Sequence, residues 1–241
     1  MSGGMVFAAG NILSWLMSLI SLLSIDIRML PTWSIVPIVL LRTFLQTGLF
    51  IAAHDAMHQV LVPGHDRLNR NLGRLCLWLY ACLPYRSCMA KHQRHHLHPG
   101  SIHDPDFCSD AKAGVTGWYL SFMGGYLKPQ QLLQLITVWF GVGLIISSHQ
   151  ASSWVNLASF WILPLWLSSL QLFLVGTYLP HRIQQSPDVS EGPTSLDLPP
   201  WLSLLACFHF GYHCEHHDKP QLAWFQLPIE RKRRMKGLAQ S

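Results

Sequence analysis

The sequence predicts an all-α integral membrane bundle, and three observations carry that prediction. Four apolar runs are long enough to cross a bilayer. Only 12% of the 241 residues are charged while 50% are hydrophobic, a composition suited to lipid rather than water. Fifteen of the 17 Lys and Arg residues fall in two connecting segments. The chain is read as one membrane-embedded domain, residues 1–241, with about four transmembrane helices and short interfacial ones.

The first run, VFAAGNILSWLMSLISLLSI (6–25), carries no charge. No basic residue precedes it and no small-x-small site follows, so it reads as a span rather than a signal peptide. The second, 33–57, contains a single charge, Arg42. The third covers 132–148 and the fourth 154–179, where Pro164 predicts a kink. LGRLCLWLYACLPY (72–85) and PPWLSLLACF (199–208) are too short or too charged to span and read as re-entrant or interfacial helices. The segment 184–200 is turn-rich and reads as a loop. Six cysteines without a CxxC pair read as apolar fillers, which argues against a cysteine zinc site or a disulfide framework.

Four spans place both termini on one side, together with segments 59–131 and 181–241. Those segments hold eight and seven basic residues. The positive-inside rule therefore makes that side cytoplasmic and the protein multi-pass. A chain so embedded in lipid is a poor candidate for binding nucleic acid.

The histidines gather on the same side. His54 and His58 stand four apart at the end of the second span, His181 ends the fourth, and only His149 falls on the opposite side. His92, His95 and His96 form an HxxHH box, and His213, His216 and His217 form another. With 14 His in the chain, chance supplies about 0.05 such boxes. On a helix each box offers three nitrogens in one direction. Eight or nine imidazoles are twice what one zinc needs, and sharing them between two metals leaves positions open for a substrate such as O₂. Imidazole suits iron, copper, nickel and zinc alike; the membrane setting and a cytoplasmic mouth for electrons favour iron. Asp55, Asp104, Asp106 and Glu215 lie beside the boxes as acceptors able to orient the imidazoles. His209 is a further candidate for such a supporting role. A metal transporter would place ionisable groups near the bilayer midplane, where the spans offer only Arg42 and a few neutral polar residues.

These residues resemble the integral-membrane fatty acid desaturase and hydroxylase superfamily, with its three histidine boxes. AHDAMH (53–58), RHHLHPGSIHDPDF (94–107), GTYLPHR (176–182), FHFGYHCEHH (208–217) and WFQLP (224–228) resemble the bacterial β-carotene ketolases within it. The resemblance implies a non-haem di-iron oxygenase. Two irons would be held by His54, His58, His92, His95, His96, His213, His216 and His217, with His181 as a ninth ligand. It implies O₂ as co-substrate, an external reduced electron donor of the ferredoxin type, and oxidation of C4 of a carotenoid ring by two hydroxylations and a dehydration. A ring hydroxylase and a fatty acyl desaturase are the alternatives in the same class. The carotenoid would enter from the bilayer along aromatic and apolar residues drawn from Phe122, Tyr126, Tyr178, Leu179, Trp201, Phe208, Phe210 and Tyr212. RKRRMK (231–236) would steer an acidic donor or anchor to lipid headgroups. The chain departs from the family at Gln59, where Gly is usual, at Cys214, where His is usual, and at Phe225, where Trp is usual.

Overall fold

The computed structural model describes residues 2–108, 110, 113–148, 152–182 and 192–238. Among them the α-helices are α1 (Gly3–Ser24), α2 (Thr32–Met57), α3 (Asp66–Ala81), α4 (Tyr85–Leu97), α5 (Gly114–Tyr126) and α6 (Pro129–Ser147). A long composite helix, α7 (Ser153–His181), is followed by α8 (Pro200–Cys207), α9 (His213–Asp218) and α10 (Leu227–Leu238). Among the described residues there is no strand. Helices α1, α2, α6 and α7 are long and apolar enough to cross a membrane, and they coincide with the four predicted spans to within a few residues. The two short apolar runs became α3 and α8. His149 and residues 184–191 of the predicted loop lie outside the described residues. Helix α5 was not anticipated, because its 13 residues include four glycines and carry no strong periodicity.

The core sits around α2. Half of its apolar stretch is buried, against 11% for α6, which turns Leu133, Ile136, Phe140 and Ile145 outward. Apolar side chains gain little by leaving lipid, so close approach and internal polar bonds must hold such helices together. Both are present. A Cβ on Gly48 would lie 2.4 Å from Asn11 Oδ1, so glycine lets α1 and α2 approach while Asn11 Nδ2 donates to Leu45 O at 3.0 Å. Trp15 Nε1 donates to Gln46 Oε1 at 2.6 Å, and Gln46 Nε2 donates to the Tyr80 carbonyl of α3 at 2.7 Å.

Arg42, fully buried, clamps three helices. Its Nη1 donates to Trp15 O at 2.7 Å and to Ser18 Oγ at 2.8 Å, and its Nε donates to Phe160 O at 3.0 Å. Phe160 lies four residues before Pro164, which has no N–H to offer that carbonyl. The arginine supplies the missing donor. The irregularity expected at Pro164 takes the form of a π turn, Ala158–Ile162. A second π segment, Leu174–Tyr178, precedes Pro180 and delivers His181 at the helix end. At the same pole, Ser2 Oγ donates to Leu61 O at 2.8 Å, so the start of α1 meets the end of α2.

Candidate metal centre

Four elements meet at this pole. The last turn of α2 supplies His54, with His58 capping the helix, and the end of α7 supplies His181. The short helices α4 and α9 carry the two HxxHH boxes. All nine predicted ligands come together, in two groups: His54, His58, His92, His96 and His216 form one, and His95, His181, His213 and His217 form the other. Within each group the candidate ligand atoms all lie within 4.8 Å of one another.

The boxes do not each point in one direction, as the spacing alone suggested. On an α-helix, positions i and i+4 differ by about 40° while i+3 falls about 60° to the other side. Each box therefore divides. Helix α4 sends the pair His92 and His96 to the five-histidine group and His95 to the four-histidine group. Helix α9 does the reverse, sending His213 and His217 to the smaller group and His216 to the larger. The boxes thus interlock, with the rings of His96 and His217 stacked at 4.3 Å between the two groups.

Six Nε2···Nε2 approaches of 2.7–3.1 Å occur, all within a group: His58–His92, His92–His96 and His96–His216 in one, His181–His213, His213–His217 and His95–His217 in the other. A hydrogen-bonded network explains them poorly. Any choice of tautomers leaves one N–H in each group divided between two neighbours, whereas a cation takes every lone pair at once. Ligands about 2.1 Å from one metal stand about 3.0 Å apart at right angles and about 3.4 Å apart at the tetrahedral angle. The observed spacing matches the right-angled case. The donor set therefore fits two metal ions held by imidazole.

The electrostatics agree. Burial pushes His58 down to about 4 and, with the charges of His58 and His95 adding to it, His96 down to about 3. Burial and then neighbouring imidazoles hold His92, His213, His216 and His217 well below the usual histidine value. Neutral rings are what a metal requires. His95 is the exception: burial works to lower it, but the hydrogen bond to Asp104 and the charges of Asp106 and Asp104 outweigh that and raise it. His95 Nδ1 donates to Asp104 Oδ2 at 2.9 Å, which turns its Nε2 toward His217. Asp104 also accepts from the backbone N–H groups of Gly100 and Asp106, so the carboxylate is fixed in place.

The other predicted supporting residues take different positions. Asp106 Oδ2 lies 4.0 Å from His95 Nδ1, and Asp55 Oδ1 lies 3.6 Å from His54 Nδ1 while Asp55 Oδ2 accepts from Trp224 N. Glu215 accepts from Ser195 Oγ and, at 3.1 Å, from Arg231 Nη1, so it ties α9 to α10. Arg234 pairs with Asp218 in the same way, leaving Lys232, Arg233 and Lys236 of the basic run exposed. His209 joins neither group and stacks on Tyr212 and Trp224. Cys214 also joins neither group; its N–H is bonded to Ser195 Oγ. Gln59 adopts φ +62°, the left-handed region that glycine enters freely. Phe225 is 41% exposed and edges against Trp224.

Beside the histidines lies a small cavity of about 50 Å³ bordered by His54, His92, His95 and His213. Next to it is a larger one of about 320 Å³, walled almost wholly by apolar side chains of α2, α3, α5, α6 and α7. Phe50, Phe122, Tyr126 and Leu172 line both, so the two adjoin as a recess that reaches from the α5–α6–α7 face toward the histidines. Of the predicted groove residues, Phe122, Tyr126 and Phe210 line this recess. Tyr178, Leu179, Trp201, Phe208 and Tyr212 border neither cavity; Phe208 stacks instead on Phe44 at 4.2 Å. Phe50 was overlooked in the sequence, although it stands four before His54 and so shares its helix face.

The Fatty acid desaturase family matches this chain over residues 31–147 and 116–240. A beta-carotene ketolase of a Paracoccus species is 43% identical over 192 residues, covering 78% of this chain and 76% of the relative. One from Paracoccus sp. strain PC1 is 42% identical over 193 residues, covering 79% and 76%. A beta-carotene ketolase of Haematococcus lacustris is 37% identical over 203 residues, covering 81% of this chain and 61% of the relative.

Proposed function

The chain belongs to the fatty acid desaturase family, and on that footing we propose that it is a membrane carotenoid ketolase, a di-iron oxygenase that converts C4 of a β-ionone ring to a ketone. The observation that carries this reading is the apolar recess adjoining nine converging imidazoles, four of which border it. Its ligands are His54, His58, His92, His96 and His216 for one iron, and His95, His181, His213 and His217 for the other. When bound, the irons supply the reduction of O₂ that makes oxidation of an unactivated C–H bond possible.

Each round consumes one O₂, two electrons and two protons, puts one oxygen atom into a C–H bond and releases the other as water. A second round on the same carbon gives a geminal diol, which loses water to the ketone. The protein's part is to bring the ring methylene to the histidines and to exclude bulk water. The recess is suited to both. The walls of its larger part are almost wholly apolar, and Phe50, Phe122 and Leu172 line it where it adjoins the histidines. Asp104 keeps His95 oriented with its Nε2 toward His217, where the pair would hold a metal. Asp55 stands behind His54 at 3.6 Å, too far for the same hydrogen bond.

The substrate enters from the bilayer, because a C40 polyene dissolves nowhere else. The whole chain works as one multi-pass domain, with its histidine pole and both termini in the cytoplasm. Electrons come from an external carrier of the ferredoxin type, which meets the exposed basic residues of α10 at that pole. The test is product analysis in cells that make β-carotene and express this chain. Echinenone and canthaxanthin support the reading, ring alcohols alone would make the protein a hydroxylase, and unaltered carotene would sink both.

A further inference from the structure

A ketolase must oxidise the same carbon twice, so its first product, an alcohol, has to be held for a second round in a site built for hydrocarbon. Burying a hydroxyl without a partner is unfavourable, and that alone would expel the intermediate toward the membrane surface. The wall shared by the two cavities contains one group placed to prevent this. Of the four residues lining both cavities, only Tyr126 carries a polar side-chain atom. Its hydroxyl donates to Asp106 Oδ1 at 2.7 Å, which commits its proton and leaves its oxygen lone pairs as acceptors. Asp106 is 8% exposed and borders the small cavity itself.

The ring of Tyr126 is held as firmly as its hydroxyl. The Lys91 ammonium lies 4.4 Å from the ring centroid and is bonded to the Gly125 carbonyl next in the chain. Phe122 packs against it with centroids 4.9 Å apart. The acceptor is therefore pre-placed on a residue that lines both cavities.

We propose that Tyr126, held by Asp106, accepts a hydrogen bond from the once-oxidised ring and so retains the alcohol for its conversion to the ketone. The inference rests on the ketolase reading above. An unsubstituted ring has no use for this acceptor, so its loss falls on the second oxidation and shows in the balance of products.

The experiment is Tyr126→Phe expressed in β-carotene-producing cells, with alcohol and ketone quantified together. The ratio of 4-hydroxy to 4-keto product is expected to rise about tenfold over wild type, the partition change of one lost hydrogen bond of good strength. An unmoved ratio, with both products falling in proportion, overturns the proposal. So does a rise in Thr177→Val, which removes the hydroxyl of another small-cavity residue, without one in Tyr126→Phe. Should Tyr126→Phe fail to accumulate, wild-type enzyme in detergent is given equal amounts of β-carotene and its 4-alcohol; the alcohol is expected to be consumed first, and preference for the carotene contradicts the role. A wild type that forms no ketone defeats the ketolase reading itself, whereas wild-type ketone with an unmoved variant ratio defeats only the role of Tyr126.

Discussion

The five-histidine and four-histidine groups share one pole of the molecule but are supported differently. The larger group draws His54 and His58 from α2 and pairs them with rings of α4 and α9. Its nearest carboxylate, Asp55, stops 3.6 Å short of His54 and is partly occupied by Trp224 N. The smaller group has one ligand fewer, and its His95 is anchored by Asp104 and faced by Asp106. One site has a ligand to spare and the other relies on its surroundings. The two metals should therefore be inequivalent, and variants can separate them.

The largest effects come from ligand removal. His213→Ala leaves three imidazoles in the smaller group and is expected to abolish ketone formation and release one metal. His58→Ala leaves four in the larger group and should retain more metal than His213→Ala when the two are purified side by side. Equal retention would show that the groups are not distinct sites. Next in size is Asp104→Asn, which deprives His95 of its anionic acceptor. Loss of such a partner costs about 10–100-fold in metal affinity or activity. The loss should fall on one metal of the two, as read by chelator competition.

The pH response follows from the depressed imidazoles. His58, near 4, and His96, near 3, take up protons in the folded state only well below the ordinary value of about 6.5. Between those limits the unfolded chain binds more protons, so stability falls as pH is lowered. Metal-free protein in detergent should lose thermal stability from pH 6.5 toward pH 4; a flat profile would count against buried, neutral rings. The smallest effect belongs to Gln59, whose φ of +62° costs about 1 kcal/mol relative to glycine. Gln59→Gly should leave the metal content alone and raise the melting temperature by a few degrees, read by thermal unfolding.

Much of this was legible in sequence because it depends on short-range periodicity. Spans follow from hydropathy, and the boxes declare themselves by their spacing. What could not be read is the division of each box between two groups. The spacing fixes the angle between His92, His95 and His96, but where α2, α7 and α9 stand around α4 is decided by tertiary packing. Arg42 was visible as a lone charge in a span, yet its partner is a carbonyl freed by Pro164, 122 positions later in the chain. Helix α5 went unread, and with it the bond from Tyr126 to Asp106, since nothing in its own residues points to a partner 20 positions away. Gln59 illustrates the reverse: a departure noticed in sequence acquired its physical meaning only from a backbone angle.

The central claim is that the two histidine groups hold two irons. The most direct test is iron quantification on purified, detergent-solubilised protein of known concentration, reconstituted with ferrous iron without oxygen. The account predicts about two irons per chain, falling to about one in His213→Ala. A single iron in the wild type, or exclusive retention of zinc, would contradict it.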